Sequence, residues 1–306
     1  MSWAADAIRP RVRVISDNDY CGDPDGLVQL AHHYLSPSVD LRCVIGSQLS
    51  EQYHGPNPTG PDDSVAAAHH VAELAGRPDV PVVPGTSAAS DAIVAEAMRD
   101  DTDLPLFVVC GGGLTSLASA WLMEPRIAER CTVVWIGGRE HSGLAEPAPG
   151  DLSVEYNTSI DLTAAQVVFN DSDLAIWQVP RDAYKQVLAS RAELVVRMRS
   201  QGVLGAHLFD ELARGVDVIE RFGLSLGETY VLGDSPLVLL TALLGGYDPR
   251  PTSSRWMDRP RPRLLESGDY GDPVEGAPPL RIFTQLDTRL LLEDLYAKLA
   301  LHAAEA

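Results

Sequence analysis

The sequence predicts an α/β fold, an open and mostly parallel sheet with helices on both faces. Three observations predict it. Short apolar runs recur from residue 12 to residue 179, helical patterns separate them, and Pro-, Gly-, Asp- and Ser-rich segments follow several of them. Parallel strands need long crossovers, usually helices, so this alternation reads as successive βαβ units.

The runs are Val12 to Ser16, Leu41 to Gly46, Val80 to Pro84, Leu106 to Cys110, Thr132 to Ile136 and Leu174 to Val179. Among the helical stretches, Ser64 to Gly76 opens on an Asp-Ser capping pair and closes on glycine. Thr115 to Arg130 carries Leu117, Ala118, Trp121 and Leu122 at helical spacing, and Leu162 to Phe169 carries Ala164, Ala165, Val168 and Phe169. Leu237 to Leu244 is almost wholly apolar and predicts a buried helix closed by Gly245 and Gly246. Leu286 to His302 is amphipathic through Leu290, Leu291, Leu295 and Leu299. The segments 47–63, 139–151 and 248–279 read as loops at one edge of the sheet. No internal repeat is visible, and residues 1–306 are expected to form one Rossmann-like domain.

The net charge of −19 would repel nucleic-acid phosphates and anionic membranes, and it suits a cation or a neutral small molecule. Part of that charge serves only as solvated surface. Cys21, Cys43, Cys110 and Cys131 form no CxxC pair, and three of them sit in or beside apolar runs as small buried residues. No run approaches the roughly 20 residues that span a bilayer. MSWAADAIRP lacks the apolar core of a signal peptide, so the expected location is cytoplasmic.

The strongest chemical signal is VISDNDYCGDPDGLVQLAHHYLSP, residues 14–37. A strand runs into Asp17, Asp19, Asp23 and Asp25, and a helix follows. Ligand sites in open α/β sheets lie beyond the carboxyl ends of the strands. Four carboxylates this close repel one another unless protons or a cation intervene, and such oxygens suit Ca²⁺ or Mg²⁺. The plainer alternative gives Asp23 and Asp25 only the task of capping the helix. The turn CGGGL could cradle a phosphate, but no Lys-Ser/Thr or GxGxxG spacing accompanies it. Close passage of the backbone beside a metal explains its glycines better.

The segment resembles the N-terminal signature of the calcium-dependent nucleoside hydrolases, a strand ending in Asp-x-Asp followed by a glycine and paired aspartates. Further blocks resemble that family in its own order: VVCGGGLTSLAS (108–119), EPRIAERCTVVWIGG (124–138), VEYNTSIDLTAAQVVF (154–169), and Asp234 with Pro236 before an apolar helix. The resemblance implies a cation held by Asp19, Asp25, Asp234 and the Gly111 carbonyl. It gives Asp23 ribose or water contacts, and Glu155 and Asn157 the sugar hydroxyls. Asp19 is expected to be the general base, with Asp23 next in line. The implied reaction is hydrolysis of an N-riboside or a related pentoside, with Ca²⁺ as cofactor and Mg²⁺ as its alternative. Other readings are hydrolysis of another sugar linkage on the same fold, or binding of a cation and sugar without catalysis. The expected partners are a small nucleoside or pentoside and further copies of the same chain, with no nucleic acid and no membrane.

Departures from the family pattern matter equally. The first motif holds one extra residue and Pro24, which leaves open whether Asp23 or Asp25 takes the metal position. Ser116 stands where the family turn ends in asparagine. Gly233 stands where many members have a histidine general acid, and the segment from Pro84 to Leu106 lacks their His-Gly lid. His32, His33, His69 and His70 fall inside expected helices and read as structural, as do His207 and His302. His54 and His141, in irregular segments after strand ends, are the histidine candidates for the substrate. Trp256, Asp258 and Arg261, in SSRWMDRPRPR, could stack on or protonate a base, although a structural tryptophan fits equally.

Overall fold

The computed structural model describes residues 8–49, 60–147, 149–150, 153–221, 225–246 and 252–305. All six expected strands are present, as β1 (Val12–Asn18), β2 (Val39–Gly46), β3 (Val82–Pro84), β4 (Leu106–Cys110), β5 (Cys131–Ile136) and β6 (Ala175–Val179). β3 starts two residues later than expected. Pro81 has no N–H to give to a ladder, although its carbonyl still accepts from Val44 at 2.9 Å. Two two-stranded antiparallel sheets lie outside the main sheet, β7 (Leu188–Ser190) with β8 (Thr229–Val231) and β10 (Pro262–Leu264) with β11 (Tyr270–Pro273). β9 (Arg255–Arg259) and β12 (Leu280–Gln285) complete the main sheet.

The eight-stranded sheet has the order β3-β2-β1-β4-β5-β6-β12-β9. Every neighbouring pair is parallel except β12 with β9. β1 pairs with β2 on one side and β4 on the other, so the chain reverses its direction of progress across the sheet between them. That reversal opens a crevice at the carboxyl ends of β1 and β4, where such sheets bind ligands.

The helices are α1 (Asp25–Tyr34), α2 (Pro61–Leu74), α3 (Ser87–Ala97), α4 (Thr115–Met123), α5 (Tyr156–Ile160) and α6 (Leu162–Gln166), then α7 (Arg181–Tyr184), α8 (Arg191–Leu194), α9 (Gly202–Arg221), α10 (Pro236–Leu239) and α11 (Thr288–Glu305). Alternate residues of the central strands feed two cores. Val14, Val109 and Val134 pack with residues of α1, α9, α10 and α11, whereas Ile15, Val108 and Val133 pack with α3, α4 and α6. Burial on both faces is why these strands read as continuous apolar runs. No described helix is long and apolar enough to cross a membrane.

Several expectations need correction. The stretch Thr115 to Arg130 is not one helix: α4 stops at Met123 and a 3₁₀ turn covers Pro125–Glu129, because proline disfavours the helical conformation in the residue before it. The Leu162 to Phe169 stretch passes from α6 into a π-helical turn, Val167–Asp171. α10 is a single buried turn rather than a helix reaching Leu244. The described part of the segment 248–279 holds β9, β10 and β11 rather than an open loop. β9 is an edge strand whose sequence, RWMDR, has the charged surface that edges favour, so it carries no apolar run to read.

Arg261, expected near a base, is fully buried. Its guanidinium donates to the carbonyls of Ser172 (2.9 Å), Val168 (3.4 Å) and Leu174, closing the end of the π-helical turn. Removing it would take the guanidinium donor from the carbonyls of Ser172 and Leu174, while Val168 would keep the Ser172 hydroxyl at 2.6 Å. Arg261→Ala is expected to cost about 3 kcal/mol in urea unfolding, and a loss below about 0.5 kcal/mol, typical of a surface change, would contradict that role.

Candidate active site

The acidic motif divides as it leaves β1. Asp17 turns into the wall of the crevice: it is buried, takes a hydrogen bond from Ser47, and its carbonyl receives the Gly111 N–H at 2.9 Å. Burial pushes its carboxyl up to about 6, against the pull of the Ser47 bond. Asp23 faces solvent and accepts from the Tyr230 hydroxyl at 2.6 Å. Asp19 and Asp25 are buried, and Asp234, which follows β8, is buried with them. The structure therefore groups Asp25, not Asp23, with the buried carboxylates.

These three acids act on one another. Burial raises Asp19 well above the usual carboxylate range, and the charges of Asp234 and Asp23 add to it. Asp25 is raised in the same way, by burial first and then by Asp23 and Asp234. Burial brings Asp234 up to about 8; the bond from Asn18 opposes this, while Asp23 and Glu155 reinforce it. Geometry ties the group together. The Asp234 N–H donates to Asp25 Oδ2 at 2.9 Å, and Tyr156 donates to Asp19 Oδ2 at 3.3 Å.

Asn18 sits at the centre and was missed in the sequence, because the signal there was the aspartates. Its Nδ2 donates to Asp234 Oδ2 at 2.8 Å and its Oδ1 accepts the Asp19 N–H at 2.9 Å. Two glycines make room for that amide. A Cβ at Gly111 would fall on the Asn18 amide, and one at Gly26 would come within 2.8 Å of its nitrogen. Gly112 lies beside Asp19 with a little more room, where a Cβ would stand 3.2 Å from Oδ1. The first two glycines of the turn thus leave space for Asn18 and Asp19, and the third, Gly113, leaves it for Ile160, whose side chain a Cβ would meet at 2.7 Å.

Glu155 and Asn157 stand on the neighbouring rim, and both are already engaged. Glu155 caps α5: its Oε2 accepts from the N–H groups of Gly138 (2.8 Å) and Thr158 (3.1 Å), and Oε1 from Tyr184 (3.0 Å). Asn157 donates to the carbonyls of Gly111 (2.7 Å) and Ile136 (2.8 Å). One lone pair of the Gly111 carbonyl is therefore used, and a second remains.

The loop candidates fare differently. His54 lies outside the described residues. His141 is buried, stacks on Tyr270 with ring centroids 4.2 Å apart, and bonds Gln178 through Nε2 at 2.8 Å. Burial pulls it down to about 4, so it is neutral at pH 7. Trp256 is not near the crevice. It lies on β9, five strands from β1, packed on Phe283 at 6.0 Å with the Arg281 guanidinium over its ring. Asp258 on the same strand pairs with Arg281 at 2.9 Å. Beside Gly233, a Cβ would meet Tyr184 at 3.3 Å and Asp25 at 3.4 Å.

Among the described residues, no three His, Cys, Asp or Glu side chains converge as a formed metal site. The chemistry of the donors still fits a hard dication. Three buried carboxylates and a carbonyl are oxygen ligands, and the largest influences on each carboxyl include no cationic side chain.

The strand order places the acidic residues where the sheet reverses direction, the position at which open α/β sheets bind their ligands. The sequence pattern of the inosine-uridine preferring nucleoside hydrolases matches residues 31–239, and the chain belongs to that family. The match takes in Gly111, Glu155, Asn157 and Asp234 and begins after Asp25. The inosine-uridine preferring nucleoside hydrolase of Leishmania major is 43% identical over 82 residues, 26% of this chain and 24% of that protein. The local match thus spans about a quarter of that relative's length. The purine-preferring ribonucleoside hydrolase from Gardnerella vaginalis superposes with a TM-score of 0.73 at 20% identity, over 96% of this chain and 100% of that one. A plant nucleoside hydrolase superposes with a TM-score of 0.71 at 18% identity, over 95% and 99%. These structural likenesses show the fold.

The raised carboxyls make stability depend on pH. A group whose folded pKa lies above its unfolded value contributes stability that is complete below the unfolded pKa and is lost as pH rises through the folded one. For Asp234 the window is about 4 to about 8, and Asp19 and Asp25 shift in the same direction. The buried His32, His33 and His141 act oppositely, but only below about 6.5, where the unfolded chain binds protons. In excess chelator the melting temperature is therefore expected to fall between pH 6.5 and pH 8. A flat or rising profile would contradict the upward shift that burial, reinforced by neighbouring charge, imposes on these acids.

Proposed function

We propose that the protein is a metal-dependent hydrolase of the N-glycosidic bond in ribonucleosides or closely related pentosides, releasing ribose and base. The observation that carries this reading is the buried trio Asp19, Asp25 and Asp234 at the reversal point of the sheet, in a chain of this family. Asp19, Asp25, Asp234 and the free lone pair of the Gly111 carbonyl would hold the cation, with Ca²⁺ favoured by hard and numerous oxygen ligands. When bound, the cation would neutralise the trio and polarise water and sugar hydroxyls.

The side chains supply the rest. Asp19, held by Tyr156 and by its own N–H bond to Asn18, is positioned to take the proton of an attacking water. Asp23 with Tyr230 is the second candidate for that proton. Cleavage passes through an oxocarbenium-like sugar, and carboxylates not consumed in neutralising the cation, Asp23 and Glu155 among them, would stabilise its positive charge. Glu155 and Asn157, already fixed by their own partners, would offer a rigid rim to the sugar hydroxyls. Leaving-group protonation is the weak point. Gly233 offers no proton, Tyr184 beside it gives its hydroxyl to Glu155, and His141 is neutral and tied to Gln178.

The direct test is ribose release from a panel of nucleosides, with calcium and with a chelator. Release is expected to need the cation, and Asp19→Asn and Asp234→Asn are each expected to lower it at least about 100-fold, the lower range for a general base. Near-wild-type turnover by either variant, or full activity in chelator, would overturn the assignment.

Bond cleavage without proton assistance depends steeply on the leaving group. A p-nitrophenyl riboside is therefore expected to be hydrolysed about 10² to 10⁴ times faster than inosine, the range that general acid catalysis contributes. Equal efficiency on both substrates would show that an acid is present after all.

A further inference from the structure

Every residue of α1 is buried, yet the helix carries Gln29 and His33, at 0% and 1% exposure. A buried polar side chain is costly unless it is bonded, so the partners of these two have to be found. Gln29 Nε2 meets His33 Nδ1 at 2.5 Å, and His33 Nε2 meets Thr241 Oγ1 at 2.9 Å. The amide nitrogen can only donate, so Nδ1 accepts and the imidazole proton sits on Nε2, pointing at Thr241. Burial pulls His33 down to about 3 and keeps it in that neutral form. Thr241 in turn donates to the Leu237 carbonyl at 2.6 Å.

The other end of Gln29 leads to the candidate site. Its Oε1 faces Asn18 Nδ2 at 3.4 Å, and the same nitrogen donates to Asp234 Oδ2 at 2.8 Å. A side branch runs from Gln29 Nε2 to Ser16 Oγ (3.2 Å), which bonds the Tyr20 hydroxyl at 2.9 Å. Asp234 and Thr241 belong to one continuous segment around α10, so the contacts close into a ring: Asp234, Asn18, Gln29, His33, Thr241 and back along the chain. The ring joins β1, α1 and α10, the three elements whose relative placement sets the distances within the acidic trio.

We propose that Gln29 and His33 are positioning residues, which hold the Asn18 amide against Asp234 and so fix that carboxylate relative to Asp19 and Asp25. The proposal rests on reading the trio as the cation and sugar site. It goes beyond that reading by giving the polar interior of α1 a task in the reaction. Outer partners of metal ligands commonly contribute 10- to 100-fold to affinity or activity.

The test compares Gln29→Met, similar in length but without the amide, and Thr241→Val with Val28→Ala, a fully buried change on α1 outside the ring. Calcium titration calorimetry on chelator-stripped protein is expected to show about 10-fold weaker binding for Gln29→Met. Thr241→Val is expected to shift in the same direction, and Val28→Ala to lose melting temperature at unchanged affinity. Ring variants that lose only melting temperature, as Val28→Ala does, would overturn the proposal. A crystal structure of Gln29→Met gives a readout that needs no metal. The Asn18 amide is expected to leave Asp234, and a contact preserved at 2.8 Å would overturn the proposal even if the wild type bound no calcium. Absence of calcium binding by the wild type would itself count against the proposed function alone.

Discussion

Three carboxylates buried against one another are the constraint on which the rest of this structure depends. Asp19, Asp25 and Asp234 come from the end of β1, the start of α1 and the segment after β8, and each is at most 6% exposed. Like charges in a poorly solvated pocket cannot all ionise unaided, so the pocket must hold protons or recruit a cation. The fold brings them together because β1 sits where the sheet reverses, with α1 leaving from its carboxyl end. Glycine at 26, 111 and 112 leaves the space, and the Asn18 amide occupies it, bonded to one acid and to the backbone of another.

Around that pocket the polar groups are arranged for rigidity. Glu155 is held by Gly138, Thr158 and Tyr184, and Asn157 clamps the carbonyls at the ends of β4 and β5. On the proposed reading such groups would not need to reorganise for a sugar, which would lower the cost of binding and of reaching the transition state. Next to Asp234 the polar groups are fewer. A glycine precedes Asp234, and the ring of Tyr184 stands over it.

Much of this was legible in the sequence, and the parts that were not share a physical cause. The six parallel strands were readable because burial on both faces leaves uninterrupted apolar runs. β9 was not, since an edge strand of Arg, Trp, Met, Asp and Arg is held by backbone pairing with β12 and looks like loop. For the same reason Trp256 was placed near a substrate when it packs at the far edge of the sheet. The cluster of aspartates marked the end of β1 as the place to look for chemistry, but not which of them group with Asp234. Asp17 goes to Ser47 and Asp23 to Tyr230 and solvent, and only geometry separates these from Asp25. Asp234, remote in the chain, entered through the family resemblance alone. Asn18, Gln29 and His33 act through the direction of single hydrogen bonds, for which a sequence pattern carries no mark.

What the trio binds decides the function of the site. A crystal structure of the protein grown in millimolar calcium with ribose is the most direct measurement. It should hold one cation roughly 2.3–2.6 Å from oxygens of Asp19, Asp25, Asp234 and the Gly111 carbonyl, with the ribose hydroxyls beside it. A trio left without cation density under those conditions, or ribose bound elsewhere on the molecule, would contradict the account.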